Sequence, residues 1–341
     1  MDWKRLINSA FKVALPLLLG GAILYWMYRG FDFGSIRQVV LHEMNWTWML
    51  ASLPFGVLAQ AFRGWRWEQV LSPIGEHPRK RVCVLSIYLS YALSLIVPRV
   101  GEVARCGILK RWDGVSFPKA IGTVVTERAV DTVIIAIITG LAFLLQLRVF
   151  GTFFSRTGTR IDDVLSTFST TGWVVTAICG VATLLLLCFF LRKLSIYNKV
   201  KKTLHGVWAG ITSLKEVRNI PLFLFYSLAI WASYFLHFYL TFFCFDATAQ
   251  LGVTCALVSF VVGSIAVIVP TPNGAGPWHF AVKTMLILYG VAYTPALYFV
   301  LIVHTVQTLL VVALGVYAWI ALGFAKKQSV AAQPIAAQND R

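Results

Sequence analysis

The chain has 341 residues, of which 58% are hydrophobic and only 13% charged, and its formal net charge is +16. So apolar a composition, with a mean hydropathy of +0.74, exceeds what a water-soluble core of this size needs; it excludes an ordinary globular domain and implies an all-α, polytopic helical membrane protein. The basic residues sit mostly in short loops between apolar runs, where the positive-inside effect collects them, so topology accounts for the charge and no nucleic-acid partner is expected.

The start "MDWKRLINSAFK" places Lys4, Arg5 and Lys12 ahead of an apolar run from Val13 to Tyr28. No A-x-A-like cleavage site follows and more hydrophobic segments do, so this reads as an uncleaved first span. Further apolar segments run from 47 to 62, 82 to 97, 129 to 147, 172 to 191, 220 to 245, 252 to 270, 278 to 290 and 296 to 322. Most approach the roughly 20 residues that a span requires. Two regions are short or interrupted: 82 to 97 ends in "VPR", and 252 to 290 is split by "PTPNGAGPW".

Loop charges set the orientation. Segments 63 to 81 and 192 to 218, and the stretch with Lys110, Arg111 and Lys119, are basic and read as cytoplasmic, whereas 29 to 46 and 148 to 163 mix both signs and read as external. With both termini cytoplasmic, the count closes at about six full spans if 82 to 112 and 252 to 290 each return to the side they entered from. They would then form two broken or re-entrant helical hairpins, the first dipping in from the cytoplasm and the second from outside. "IVPRVGE" (96 to 102) and "IVPTPNG" (268 to 274) are faintly alike, and inverted repeats with broken helices are a recurring transporter plan; a true repeat and a chance likeness both stand at this point. The remainder is a single transmembrane domain over 1–325, with an amphipathic surface helix over 195 to 217 and a disordered cytoplasmic tail over 326–341. The expected location is the cell membrane, by this pattern a bacterial inner membrane.

Six cysteines (Cys83, Cys106, Cys179, Cys188, Cys244 and Cys255) lie singly, without CxxC spacing or a His-rich stretch, so neither metal nor disulfide is expected. No ATP-binding motif appears, and no cofactor is expected.

The candidate site residues cluster at the interruptions. In "SLIVPRVGEVAR", Pro98 removes a backbone donor and disfavours helix at Val97, while Gly101 permits an unusual turn, so one half-helix should end and another begin there. Free backbone groups at such a break are tolerated only where protein or a water-filled cavity satisfies them. Arg99, Glu102 and Arg105 add charge at the same place, each costing on the order of 3 kcal/mol at the bilayer centre. Spacing of three puts Arg99 near Glu102 and Glu102 near Arg105, and a guanidinium suits a phosphate. The competing reading is a shallow hairpin whose arginines snorkel and whose Glu102 caps a helix.

"TERAVDT" begins the span that ends near Leu147. Glu127 and Asp131 share a helix face and Arg128 can pair with Asp131, leaving a spare negative charge. It would hold a cation or a proton, balance Arg99 or Arg105, or serve as an ion-pair staple at the membrane boundary. In "VPTPNGAGPWHF", Pro270, Pro272 and Pro277 around Asn273, Gly274 and Gly276 demand irregular backbone. Its amides, with the start of a half-helix near Trp278, can receive an anion; a plain external loop is the alternative. His279 and Lys283, four apart, supply positive charge or snorkel. Arg63, Trp65, Arg66 and Trp67 in "FRGWRW" read as interfacial anchors, and His304 and Gln307 as helix-to-helix hydrogen-bonding groups.

The combination of "FRGWRW", "IVPRVGEVAR", "TERAVD" and "VPTPNGAG", in this order over nearly the whole chain, resembles the lysylphosphatidylglycerol synthase transmembrane-region family of flippase-like membrane proteins. Larger relatives join this module to a cytosolic aminoacyl transferase domain, and the resemblance implies that the membrane part moves the modified lipid between leaflets. Since this chain ends at Arg341, it is not expected to make aminoacyl lipids; some relatives are associated with isoprenoid-linked sugars, so the cargo class stays open. The resemblance assigns functional weight to Arg99, Glu102, Arg105, Glu127, Arg128 and Asp131, and to the break from Pro270 to Gly276. Asn273 stands where a glycine is expected in many relatives.

Two functions follow as expectations. One is a flippase or scramblase for an anionic lipid or polyprenyl-linked headgroup, with no catalytic residues and a separate lipid-synthesising enzyme as partner. The other is an intramembrane lipid-modifying enzyme, which would need an acid-base or nucleophilic set that the sequence does not display.

Overall fold

Inside hydrocarbon every backbone amide must find its partner within the protein, and a helix supplies one residue by residue. The computed structural model of the protein describes residues 17–32, 34–98, 100–145, 217 and 219–326, and the regular structure in them is helical. Arg99, the span expected over 172 to 191, the loop over 148 to 163, the surface helix over 195 to 217 apart from Val217, and the tail beyond Lys326 lie outside the described residues.

Helix α1 (Leu17–Tyr28) leads through a short α2 (Gly34–Gln38) and a π-turn to α3 (Trp46–Leu71). Then come α4 (Lys80–Ile96), α5 (Val100–Asp113), α6 (Phe117–Leu145), α7 (Ile220–Tyr239), the short α8 (Asp246–Ala249), α9 (Gly252–Ala266), α10 (Pro277–Leu288) and α11 (Tyr293–Phe324). Among the described residues three segments are long and apolar enough to cross a membrane: Phe117–Leu145, Ile220–Cys244 and Tyr293–Phe324. With 26 residues, α3 extends about 39 Å at 1.5 Å per residue, but carries Arg63, Arg66 and Glu68 in its last third.

Both interrupted regions are antiparallel helical hairpins. In the first, α4 and α5 pack side by side. Val97 is extended (φ −128°, ψ 114°), as the residue before a proline is pushed to be. The open end of this hairpin is tied by Arg79 and Asp113, whose Nη2 and Oδ1 lie 2.6 Å apart. It lies beside the end of α11, where Trp112 Nε1 donates to the Leu322 carbonyl at 2.8 Å. In the second, α9 and α10 pack side by side, and Cys255, Leu286 and Val291 at its open end share an apolar cluster with Met49, Cys244 and Phe299. That is the opposite end of the bundle, where Asn45 donates its N–H to the Cys244 carbonyl at 2.9 Å. The two hairpins therefore enter from opposite ends, and their tips meet where α4 packs against the turn Pro272–Gly274.

Two helices are longer than their apolar runs. The sixth helix starts at Phe117, not at 129, and α3 continues past 62 to Leu71. "TERAVD" thus lies inside a helix, with Glu127 about 15 Å from its start at 1.5 Å per residue. The helices continue through these charges because the side chains are paired within the protein, which apolar periodicity does not register.

One close approach fixes the first hairpin. A Cβ on Gly101 would stand 1.9 Å from the Ser90 carbonyl oxygen and 2.4 Å from Ser94 Oγ, and the Gly101 N–H donates to Ser94 Oγ at 3.2 Å. Gly101→Ala should prevent α5 from closing on α4; the expected result is loss of monodisperse protein in detergent chromatography. Gly107→Ala, where a Cβ meets nothing within 4 Å, should elute as the parent does.

Candidate functional site

The hairpin tips and three surrounding helices enclose a network of charges. Arg63 and Arg66 are one turn apart on α3, Arg105 is on α5, and Glu127 and Asp131 are one turn apart on α6. All five side chains are buried. Arg63 Nη1 donates to Asp131 Oδ2 at 2.6 Å and Arg66 Nη2 to Asp131 Oδ1 at 2.8 Å, so one carboxylate bridges two arginines. Arg105 Nη2 donates to Glu127 Oε2 at 2.6 Å, and Arg66 Nη2 stands 3.5 Å from Glu127 Oε1. The Arg105 guanidinium lies over the Trp67 ring, 4.4 Å from its centroid, a favourable cation–π contact in a dry setting. Trp67 in turn donates from Nε1 to Thr123 Oγ1 at 2.8 Å.

Three guanidinium groups against two carboxylates leave one net positive charge among the buried members. The spare negative charge expected of Glu127 and Asp131 balances Arg105, one of the alternatives the sequence left open, together with Arg63 and Arg66, which the sequence did not point to. The arginines of "FRGWRW" are not interfacial anchors; they point inward from α3. What sequence reasoning missed was visible as a spacing, since Arg63 and Arg66 share one helix face, but their partners are 61 or more positions away in the chain, as Glu127 and Asp131 are. Glu102 also departs from its expected partner. It pairs not with Arg105 but with Arg128, with Oε1 and Nε 3.1 Å apart, because Arg105 is turned inward to Trp67 and Glu127. Arg128 Nη1 reaches Asp131 Oδ2 at 3.8 Å. This outer pair is only half-buried, with side-chain exposures of 43% for Arg128 and 38% for Glu102.

Two adjoining cavities lie against this network. The smaller, about 190 Å³, is lined by both hairpins: Ser90, Ser94, Pro98, Glu102 and Arg105 from the first, and Pro270, Thr271, Asn273 and Gly274 from the second. The larger, about 720 Å³, runs from Arg63, Glu102, Arg128 and Asp131 to an aromatic wall of Trp231, Tyr234, Phe238, Phe260 and Trp278. Arg63, Tyr91, Glu102, Arg128 and Val267 border both. The larger volume falls within the range of small-molecule sites, about 300–1,000 Å³.

In the second hairpin tip, Asn273 adopts the left-handed conformation (φ 51°, ψ 23°), which asparagine tolerates better than most residues with a Cβ. That explains why asparagine serves where glycine is expected. Its Nδ2 donates to Thr308 Oγ1 at 2.8 Å, and its carbonyl lies 3.1 Å from His304 Nε2. Gly276 (φ 91°) is placed elsewhere: a Cβ there would stand 2.9 Å from the Gly20 carbonyl oxygen, so this end of α10 is covered by α1. Its N–H donates to His279 Nδ1 at 3.4 Å, and Gly274 and Ala275 donate within the turn. Those three amides are taken, so the part of this tip that faces a cavity is Pro270, Thr271, Asn273 and Gly274. Lys283 turns its ammonium to Tyr293, Phe280 and Trp26, at 4.9, 5.6 and 5.8 Å from the ring centroids. Among the described residues no group of His, Cys, Asp and Glu is arranged to hold a metal ion, and Cys83, Cys106, Cys244 and Cys255 are free and buried.

The depth of a pair decides its worth. Glu127→Gln leaves Arg105 buried without its carboxylate and should cost about 3–5 kcal/mol. Glu102→Gln removes a half-exposed partner and should cost under about 1 kcal/mol. Thermal unfolding in detergent is expected to separate the two variants clearly; equal losses would mean that Glu127 is wetter than its geometry says.

No curated protein and no solved structure matches the chain. The family model described as "Lysylphosphatidylglycerol synthase TM region" matches residues 13–315. That stretch takes in both hairpins, the buried ion network and most of the long helix behind them. The chain therefore belongs to the lysylphosphatidylglycerol synthase transmembrane-region family.

Proposed function

We propose that the protein moves an anionic lipid, or a polyprenyl-linked lipid with a phosphate headgroup, from one leaflet to the other without altering it. The observation that carries this reading is the larger cavity: one end is charged, the opposite wall is aromatic, and a lipid has both characters. Its obstacle in crossing is the headgroup, since each charge at the bilayer centre costs on the order of 3 kcal/mol even on the lenient scale. A network with one net positive charge offsets that cost for a phosphate. Arg128 is the half-buried guanidinium for first contact, and Arg105 adds donors deeper in: its Nε and Nη1 have no hydrogen-bond partner among the described residues and it lines the smaller cavity. The chain tail would follow along Trp231, Phe238 and Phe260. Because the hairpins open toward opposite ends, movement of either tip would expose the cavity to one leaflet.

In this reading the protein sits in the cell membrane, by its loop charges a bacterial inner membrane with both termini cytoplasmic, and receives its cargo from a separate lipid-synthesising enzyme. Movement is downhill or coupled to an ion gradient.

Purified protein reconstituted into phosphatidylglycerol vesicles, with fluorescent phosphatidylglycerol or a fluorescent polyprenyl phosphate as probe, should let an impermeant quencher reach inner-leaflet probe. Arg128→Ala should slow this by about tenfold or more, since a hydrogen bond to a charged group contributes about 1.5–3 kcal/mol. Quenching confined to the outer leaflet for both probes would sink the proposal, and a chemically changed probe would favour a lipid-modifying enzyme.

A further inference from the structure

The smaller cavity gathers polar hydrogens that nothing in the fold takes up. Arg105 gives Nη2 to Glu127 and lays one face of its guanidinium on Trp67, which leaves Nε and Nη1 to donate in the plane of the group. Neither has a hydrogen-bond partner among the described residues, and the same is true of Arg63 Nε and of Thr271 Oγ1. These three side chains are deeply buried, with 1% of Arg105, 3% of Arg63 and 5% of Thr271 exposed. All three line the cavity of about 190 Å³. Buried donors are nearly always met, so three that share one cavity mark a place for an acceptor.

Thr271 differs from the serines beside it. Ser90 Oγ donates to the Ile87 carbonyl at 2.8 Å and Ser94 Oγ to the Ser90 carbonyl at 3.0 Å, because each stands inside α4 with a helical carbonyl in reach. Thr271 stands in a turn, where its N–H goes to the Val269 carbonyl at 2.8 Å and its carbonyl takes the Gly274 N–H at 3.1 Å. That accounts for its backbone and leaves the hydroxyl over. The donors come from separate elements, Arg63 from α3, Arg105 from α5 and Thr271 from the tip of the α9–α10 hairpin. A carboxylate offers its lone pairs in one plane, whereas a tetrahedral phosphate offers oxygens in every direction and suits guanidinium donors. The carboxylate that lines the cavity, Glu102, is held by Arg128 at 3.1 Å, and four arginines against three carboxylates keep the surroundings positive.

Resting on the transport reading above, we propose that the smaller cavity is a phosphate site built jointly by the two hairpins, with charged donors from Arg105 and Arg63 and a hydroxyl donor from Thr271. A bound phosphate would touch both hairpins at once, and so join two tips that otherwise meet through the packing of α4 on the turn Pro272–Gly274. The headgroup of a phospholipid and free inorganic phosphate share this chemistry. Free phosphate is therefore a competitor of the cargo.

Equilibrium binding of radiolabelled inorganic phosphate to the full chain in an uncharged detergent tests this, with dihexanoyl phosphatidylglycerol and geranyl phosphate as unlabelled competitors. Wild-type protein should bind phosphate saturably and release it to at least one of the two lipids. Thr271→Val puts a methyl group where the hydroxyl stood. Because that hydroxyl has no partner among the described residues, the variant should melt at or above the parent's temperature while binding phosphate about tenfold or more weakly, the loss expected for one hydrogen bond to a charged group. Arg105→Lys keeps a cation beside Glu127 but not the in-plane donors, and should lose affinity likewise; if it fails to fold, Thr271→Val carries the test. Phosphate affinity unchanged in Thr271→Val, or no phosphate binding by the wild type, overturns the site and leaves transport to the quenching assay. Thr271-dependent phosphate binding that neither lipid displaces assigns the site to free phosphate and overturns its use by the cargo. Thr271-dependent binding of phosphate and lipid without lipid movement in vesicles would keep the site and overturn the transport reading.

Discussion

The architecture depends on five charges buried together at mid-bundle. Asp131 accepts from Arg63 and Arg66, and Glu127 from Arg105, so α3, α5 and α6 are fastened where hydrocarbon would otherwise surround them. Removing either carboxylate leaves a buried arginine without its main partner, which is far costlier than losing the pair as a whole. That asymmetry makes the network a positional constraint: it sets how deep the first hairpin reaches and where the cavity begins.

The hairpins supply what continuous spans would not, namely backbone turns deep in the bundle. They are possible because each turn is covered by protein: Gly101 packs against the Ser90 carbonyl, and Gly276 against the Gly20 carbonyl of α1. Opposed entry brings the turns together beside the ion network, so the same place collects charge, polar backbone and enclosed space. In a bilayer these three are each unfavourable against lipid and favourable against one another.

Legibility from the sequence varied with the range of the interaction. Pro98 and Gly101 announced the first break, since proline and glycine act on their own backbone. The "PTPNGAGPW" run announced the second in the same way. Membrane character followed from composition. The site was legible only in part: Glu127 and Asp131 were seen to share a face, but Arg63 and Arg66 were read as anchors at a boundary. The expected Glu102 and Arg105 pairing gave way to Glu102 with Arg128 and Arg105 with Glu127.

By itself the sequence determined that the chain is helical, lives in a membrane, and is broken at two places, because hydropathy, proline and glycine act locally. Tertiary structure alone decided which charge meets which, that Arg63 and Arg66 join the buried network, and that Asn273 is held by His304 and Thr308. Those outcomes depend on the rotation and depth of helices far apart in the chain, and no spacing within one helix encodes them.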